Sequence, residues 1–188
     1  MIKKSIVEDV FRVLGRSATM LVRRLFLKCL MAAWVGMFVS ANVGHADPSD
    51  ILLTLIRPQP QNDGVIQSSI TRDSLLALPQ ASFATTTIWT KGVQKFDGVW
   101  LYDFLQAYNV TSGTLELEAI NDYLVKIPLS DIEQGRALLA HTRNGEPMST
   151  REKGPVWLVY NYDSDPTFRT ETVYSRSVWQ LDRIKISR

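Results

Sequence analysis

Thiols are almost absent from this 188-residue chain, whose one cysteine is Cys29. That excludes a disulfide scaffold, and beyond residue 29 it excludes a thiolate as nucleophile or metal ligand. Histidine is nearly as scarce, with two in the chain and only His141 after residue 46. One histidine without a cysteine does not make up the three or four donors of a zinc site. A Ser-His-Asp triad needs such a base in a cleft beside a serine, whereas His141 ends a predicted strand and reads as a surface or hairpin residue. The chain has no Walker-type phosphate loop and no G-x-G-x-x-G. It also has no internal repeat and no low-complexity tract. With 45% hydrophobic and 21% charged residues the composition is that of an ordinary globular domain.

Charge is unevenly placed. The chain has 21 basic and 19 acidic side chains; seven of the basic and two of the acidic ones fall in residues 1–46, which leaves 14 against 17 over residues 47–188, a net −3. That remainder has no basic footprint for nucleic acid. Residues 1–24 are polar and basic, residues 29–43 (CLMAAWVGMFVSANV) are apolar, and Gly44-His45-Ala46 supplies small residues for a cut after Ala46. This is the pattern of a signal peptide, and its apolar run is shorter than the roughly 20 residues of a membrane span. The expected arrangement is a leader over 1–46 and one domain over 47–188, exported to a bacterial periplasm with no stable membrane span after cleavage. An uncleaved N-terminal anchor is the other reading of the same residues. Arg23-Arg24-Leu25-Phe26-Leu27-Lys28 resembles the twin-arginine export signal, with Val22 where a Ser or Thr is usual. The resemblance implies export in the folded state, often with a cofactor already inserted.

The remainder reads as an α+β domain: a β-rich mixed sheet with short helices. Ile51–Ile56 is a short apolar strand and residues 57–64 (RPQPQNDG) a loop. Thr71 caps a helix that runs through Leu78 and stops at Pro79. Residues 82–90 alternate, with Phe83, Thr85, Thr87 and Trp89 on one strand face. Val99–Tyr108 has helical spacing. Residues 114–120 and 123–127 form a strand pair about an Asn121-Asp122 turn, with Glu116 and Glu118 on a solvated face rather than as an acid–base pair. Ser130-Asp131-Ile132-Glu133 is a capping-box pattern for a short helix ending at Gly135. Residues 137–142 and 155–160 are strands, and Asn144-Gly145 is a hairpin turn. Residues 173–187 are extended, and a slip in phase after Leu181 suggests a bulge.

Candidate binding residues cluster in the second half. Asn121, Asp122 and Tyr123 share one turn; Arg151, Lys153 and Trp157 lead into one strand; Arg176, Trp179 and Gln180 lead into the last. Tryptophans beside cations make stacking surfaces, and arginine forks bind anions bidentately. Arg151, Lys153 and Arg176, with Asn121 and Gln180 as amide hydrogen bonders, would suit an anionic small molecule. The same residues also fit a purely structural role, in which the arginines brace loops through backbone carbonyls or Asp122 and the tryptophans are core.

Several segments resemble the sulfite-oxidase-type molybdopterin-binding domain. They are Phe96-Asp97-Gly98-Val99-Trp100-Leu101 before a short helix, Tyr123–Leu129, Leu138-Leu139-Ala140 with Asn144-Gly145-Glu146-Pro147, Gly154–Val159, and Val178-Trp179 through Ile186. The resemblance spans about Gly64 to Ile186 and is greatest to a small, exported, single-domain branch with N-D-Y, R-x-K-G-P-x-W and R-x-V-W-Q-L. It implies that family's fold and an oxidoreductase ancestry. The departures fall on the cofactor contacts. The cysteine that ligates molybdenum is expected within residues 81–96, where Thr87, Trp89 and Thr90 stand without any thiol. The family's pterin-phosphate arginine aligns with Trp157, and its late lysine with Val178. Each lost charged hydrogen bond weakens binding by about 1.5–3 kcal/mol.

Three functional readings follow. The first is a cofactor-free periplasmic accessory module that binds an anionic small molecule or a periplasmic protein partner. The second is an oxidoreductase that holds molybdopterin without a protein thiolate. The third is an envelope-interaction protein with no small-molecule site.

Overall fold

The computed structural model describes residues 51–59 and 63–187. The leader expected over residues 1–46 lies outside the described residues. The domain is α+β, mostly strands in two sheets. The first sheet has the order β2-β1-β10-β5-β6, built from β1 (Ile51–Pro58), β2 (Val65–Thr71), β5 (Thr114–Ala119), β6 (Leu124–Pro128) and β10 (Leu181–Ser187). Its centre is the parallel pairing of β1 with β10; its other pairings are antiparallel. The second sheet has β3 (Ala81–Thr86), β4 (Val93–Trp100), β7 (Ala137–Arg143) and the short β8 (Glu146–Pro147) in order. Strand β9 (Trp157–Tyr160) also pairs with β7. The helices α1 (Arg72–Leu76), α2 (Leu101–Ala107) and α3 (Glu171–Arg176) are short. Among the described residues, no helix is long and apolar enough to cross a membrane.

Local chemistry explains most boundaries. Strand β5 alternates: Leu115, Leu117 and Ala119 are buried and Glu116 and Glu118 are not. Those glutamates meet cations on neighbouring strands, Glu116 with Lys126 and Lys185 and Glu118 with Arg183. The outer face of this sheet is thus a lattice of cross-strand ion pairs. Thr71 caps α1 by accepting the Ser74 N–H at 3.2 Å. Asn144 and Gly145 both have positive φ, 54° and 86°, as a two-residue hairpin turn requires.

The second sheet is covered on both faces along β7 and β9. Along β7 and β9, Ala137, Leu139, Leu158 and Tyr160 join the main core, while Leu138, Ala140, Trp157 and Val159 join a second cluster with Phe96 and Met148. Continuous apolar runs such as Trp157–Tyr160 are the mark of a strand buried on both sides.

Five expectations about elements are corrected. The strand expected over residues 82–90 ends at Thr86, because the Thr86 N–H and hydroxyl are both bonded to the Asp163 carboxylate. Val99 and Trp100 complete β4, and α2 begins only at Leu101. Ser130 does not cap a helix; its hydroxyl turns to Asp131, and residues 129–131 form one 3-10 turn. Residues 155 and 156 precede β9 rather than belonging to it. The stretch expected to be extended over residues 173–187 starts inside α3, which Thr170 caps by accepting the Val173 N–H at 3.3 Å. The bulge expected there does occur, between Leu181 and Arg183.

A second bulge decides the fate of His141. Gly98 pairs with Ala140 while its neighbour Asp97 pairs with Thr142, so His141 is the extra residue on β7. Gly98 permits this, because a side chain there would collide with the Leu139 carbonyl. The expected surface histidine is therefore buried, at 4% exposure.

Candidate functional site

The site is organised around Trp89. The turn after β3 is held by the Thr87 and Thr90 hydroxyls, 2.7 Å apart, and Thr87 also accepts the Trp89 N–H at 3.1 Å. That turn pushes the indole into a group of rings. Its centroid lies 5.9 Å from Trp157, 6.1 Å from Tyr162, 5.8 Å from Tyr174 and 5.5 Å from Trp179, every contact edge-to-face. Asp163 anchors the other side of the turn. Its carboxylate takes the Thr86 donors and pairs with Arg169 at 2.7 Å, and its own N–H goes to the Thr85 hydroxyl at 3.1 Å. These hydrogen bonds, the Thr86 N–H foremost, hold the Asp163 carboxyl below its ordinary range.

Helix α3 and the β5–β6 turn close the opposite wall. Asp122 adopts φ 64° in that turn, and Asn121 accepts the Tyr123 N–H through its side-chain oxygen at 3.4 Å. The Tyr123 hydroxyl then reaches across to donate to the Ser175 carbonyl at 2.9 Å. Beneath, the Tyr162 hydroxyl donates to Ser177 at 2.6 Å and Ser177 donates to the Val173 carbonyl at 2.8 Å. Burial pushes the Tyr162 phenol far above its ordinary value. Between these elements lies a cavity of about 380 Å³ whose wall includes Trp89, Asn121, Tyr123, Glu171, Tyr174 and Trp179. Its size suits a small molecule, and its lining is mainly apolar, with four aromatic rings and a few polar groups.

Lys153 lies beside this cluster. It sits at φ 76°, with its Nζ 4.2 Å from the Trp179 ring centroid and 5.6 Å from that of Trp157. It makes no ion pair among the described residues, and burial, then the Arg143 charge, lower its pKa. Its carbonyl accepts the Gln180 N–H at 3.0 Å, and the Gln180 amide donates to the Thr150 carbonyl at 2.6 Å. Gln180 is thus committed to the backbone of the loop that carries Lys153.

The structure therefore brings some of the sequence candidates together and separates others. Asn121, Tyr123 and Trp179 share the cavity wall. Asp122 is exposed on the turn above it. Trp157 is fully buried, and its indole N–H has no partner. Arg151 is exposed on a 3-10 turn. Arg176 faces a different, smaller cavity with Arg136 and Tyr160, and it pairs with Asp131 at 2.8 Å rather than with Asp122. The three cations thus do not converge. Sequence reasoning missed Tyr174, which it placed in an extended stretch, and Glu171, which it placed in no element; the two belong to one capped helix. It named Trp89 for a strand face and for its place in the cofactor segment, not as a binding residue.

His141 has no part in the cavity. Its ring nitrogens lie 2.9 Å from the Thr142 hydroxyl and 3.0 Å from the Gln80 amide oxygen. No group of three or more His, Cys, Asp or Glu side chains that could hold a metal ion occurs among the described residues.

No family model matches the sequence, and no curated protein matches it. One of the solved structures that match is the sulfane dehydrogenase SoxCD from Paracoccus pantotrophus, at 16% sequence identity and a TM-score of 0.49. The match covers 75% of this chain and 39% of that one, so it spans about two fifths of the length of the dehydrogenase chain.

Proposed function

We propose that this chain is an exported, periplasmic accessory module that binds a small molecule or a partner protein at the aromatic cavity and performs no molybdenum chemistry. The reading rests on the cavity itself. It is walled by the rings of Trp89, Tyr123, Tyr174 and Trp179, and its two serines are engaged with the backbone of α3, Ser175 with the Thr172 carbonyl and Ser177 with the Val173 carbonyl. The one described histidine is bonded elsewhere. A descent from molybdopterin-binding domains is supported by the sequence segments that resemble that family, and export is supported by the leader pattern.

Bound molybdopterin supplies two-electron redox chemistry, and its metal wants a soft thiolate from the protein. The residues here do not fit that group. The segment expected to present the thiol has none, its Thr87 and Thr90 hydroxyls bond one another, and Trp89 is packed among rings. The alternative, an oxidoreductase that holds molybdopterin without a thiolate, makes an opposite prediction. The full chain, exported from a host that makes the cofactor, is assayed for molybdenum and for pterin fluorescence. The expected result is neither, in folded monodisperse protein. Near-stoichiometric amounts of both would overturn the accessory-module reading.

A further inference from the structure

We infer that the aromatic cavity selects an organic cation, a compact tertiary or quaternary ammonium group, over anions and flat ring systems. The inference rests on the binding-module reading and adds charge and shape to it. The cavity wall contains no lysine, arginine or histidine, and its one formally charged side chain is the carboxylate Glu171. Glu171 is exposed in the first turn of α3 and makes no ion pair among the described residues. An anion entering this space would meet a free carboxylate and no cation in the wall.

Shape points the same way. Trp89 stands at 89° to Tyr174 and 65° to Trp179. Rings set edge-to-face wall a corner, not the slot between parallel plates that a flat heteroaromatic molecule would enter. A rounded ammonium group fits a corner and is drawn to the negative faces of aromatic rings. The Lys153 ammonium, 4.2 Å from the Trp179 centroid, already occupies that ring and opposes a second cation there, so the attraction falls to Glu171 and the remaining rings. Lys153 itself is not part of the wall. Asn121 adds an amide at the rim for a polar end of the ligand.

The full chain is titrated with three size-matched probes and followed by calorimetry and tryptophan emission. The probes are choline, its uncharged isostere with tert-butyl in place of trimethylammonium, and pivalate. Choline should bind at least about tenfold tighter than the isostere, and pivalate most weakly. Glu171→Gln should weaken choline severalfold and leave the isostere unchanged. Equal binding of the isostere, or preference for pivalate, overturns cation selection and leaves the binding module standing. Choline binding that Glu171→Gln does not alter also overturns it, because the cation then sits elsewhere. A folded chain that responds to none of the three at millimolar concentration overturns cation selection as well, while the binding-module reading stands or falls on the molybdenum and pterin assay.

Discussion

The two sheets solve the burial problem differently. The first keeps one face wet: Leu115, Leu117 and Ala119 point inward, and Glu116, Glu118, Lys126, Arg183 and Lys185 pair across the outside. The second has two dry faces along β7 and β9, one on the main core and one on the aromatic cluster of Phe96, Trp157 and their neighbours. The wet sheet is a scaffold that tolerates exchange of its outer groups. The candidate site lies between the two: Trp89 and Trp179 cover the second sheet's aromatic cluster, while Ala119 and the β5–β6 turn come from the first sheet. A cavity forms where that cover is incomplete, against α3 and the β5–β6 turn.

The contrast is broken most sharply at Trp157. Trp157→Ala empties the centre of the second face and should cost about 3–5 kcal/mol, measured by urea denaturation. Trp157→Phe keeps a ring and deletes an indole N–H that has no partner, so it should cost much less. A loss below about 1 kcal/mol for the alanine variant would mean that this face is not a core.

A smaller effect is expected from His141, which the bulge turns inward on the same dry sheet. Burial, then the Arg72 charge, lowers its pKa, and Asp97 opposes them. Below the ordinary value of 6.5 the unfolded chain takes up the proton first, so stability falls as pH drops from there. The loss levels off once the folded imidazole is protonated as well. His141→Gln should flatten the dependence of Tm on pH through that window. An unchanged slope would show that another group titrates there.

The smallest effect belongs to the wet face. Glu116→Gln removes the partner of Lys126 at 2.8 Å and of Lys185 at 3.5 Å, yet should cost less than about 1 kcal/mol, shrinking further in high salt. The Lys126 hydrogen bond, foremost, holds the Glu116 carboxyl below its ordinary 4.5. Its contribution is present above that pH and disappears as the pH falls through the folded value. Denaturation at two salt concentrations checks this, and a loss as large as that of Trp157→Ala would erase the distinction between the sheets.

The wet sheet was the more legible. Strict alternation in β5, the turn at Asn121-Asp122 and the pairing of β5 with β6 follow from period and turn chemistry. On β7 and β9 the apolar runs were visible, but which side chain faces which core was not, since residues 137–140 and Trp157–Tyr160 carry no charged residue to mark a face. Strand β4 was missed because Val93–Trp100 mixes Gln, Lys and Asp among its apolar residues, and α3 was missed because Glu171–Arg176 is too short to show a helical period. His141 was misplaced because one bulge, permitted by Gly98, reverses its side.

By itself, the sequence determined the α+β class, most strands, the Thr71 cap, the Asn144-Gly145 turn, and the absence of a thiol from the domain. Each depends on neighbours within a few residues, where backbone sterics and side-chain period decide. Only the tertiary structure decided that Trp89, Tyr174 and Trp179 meet around one cavity, that Lys153 lies over Trp179, and that Arg151 and Arg176 stay outside. Those outcomes depend on how strands far apart in the chain register against one another. No local preference encodes that, because the same residue can face either core until the whole sheet has paired.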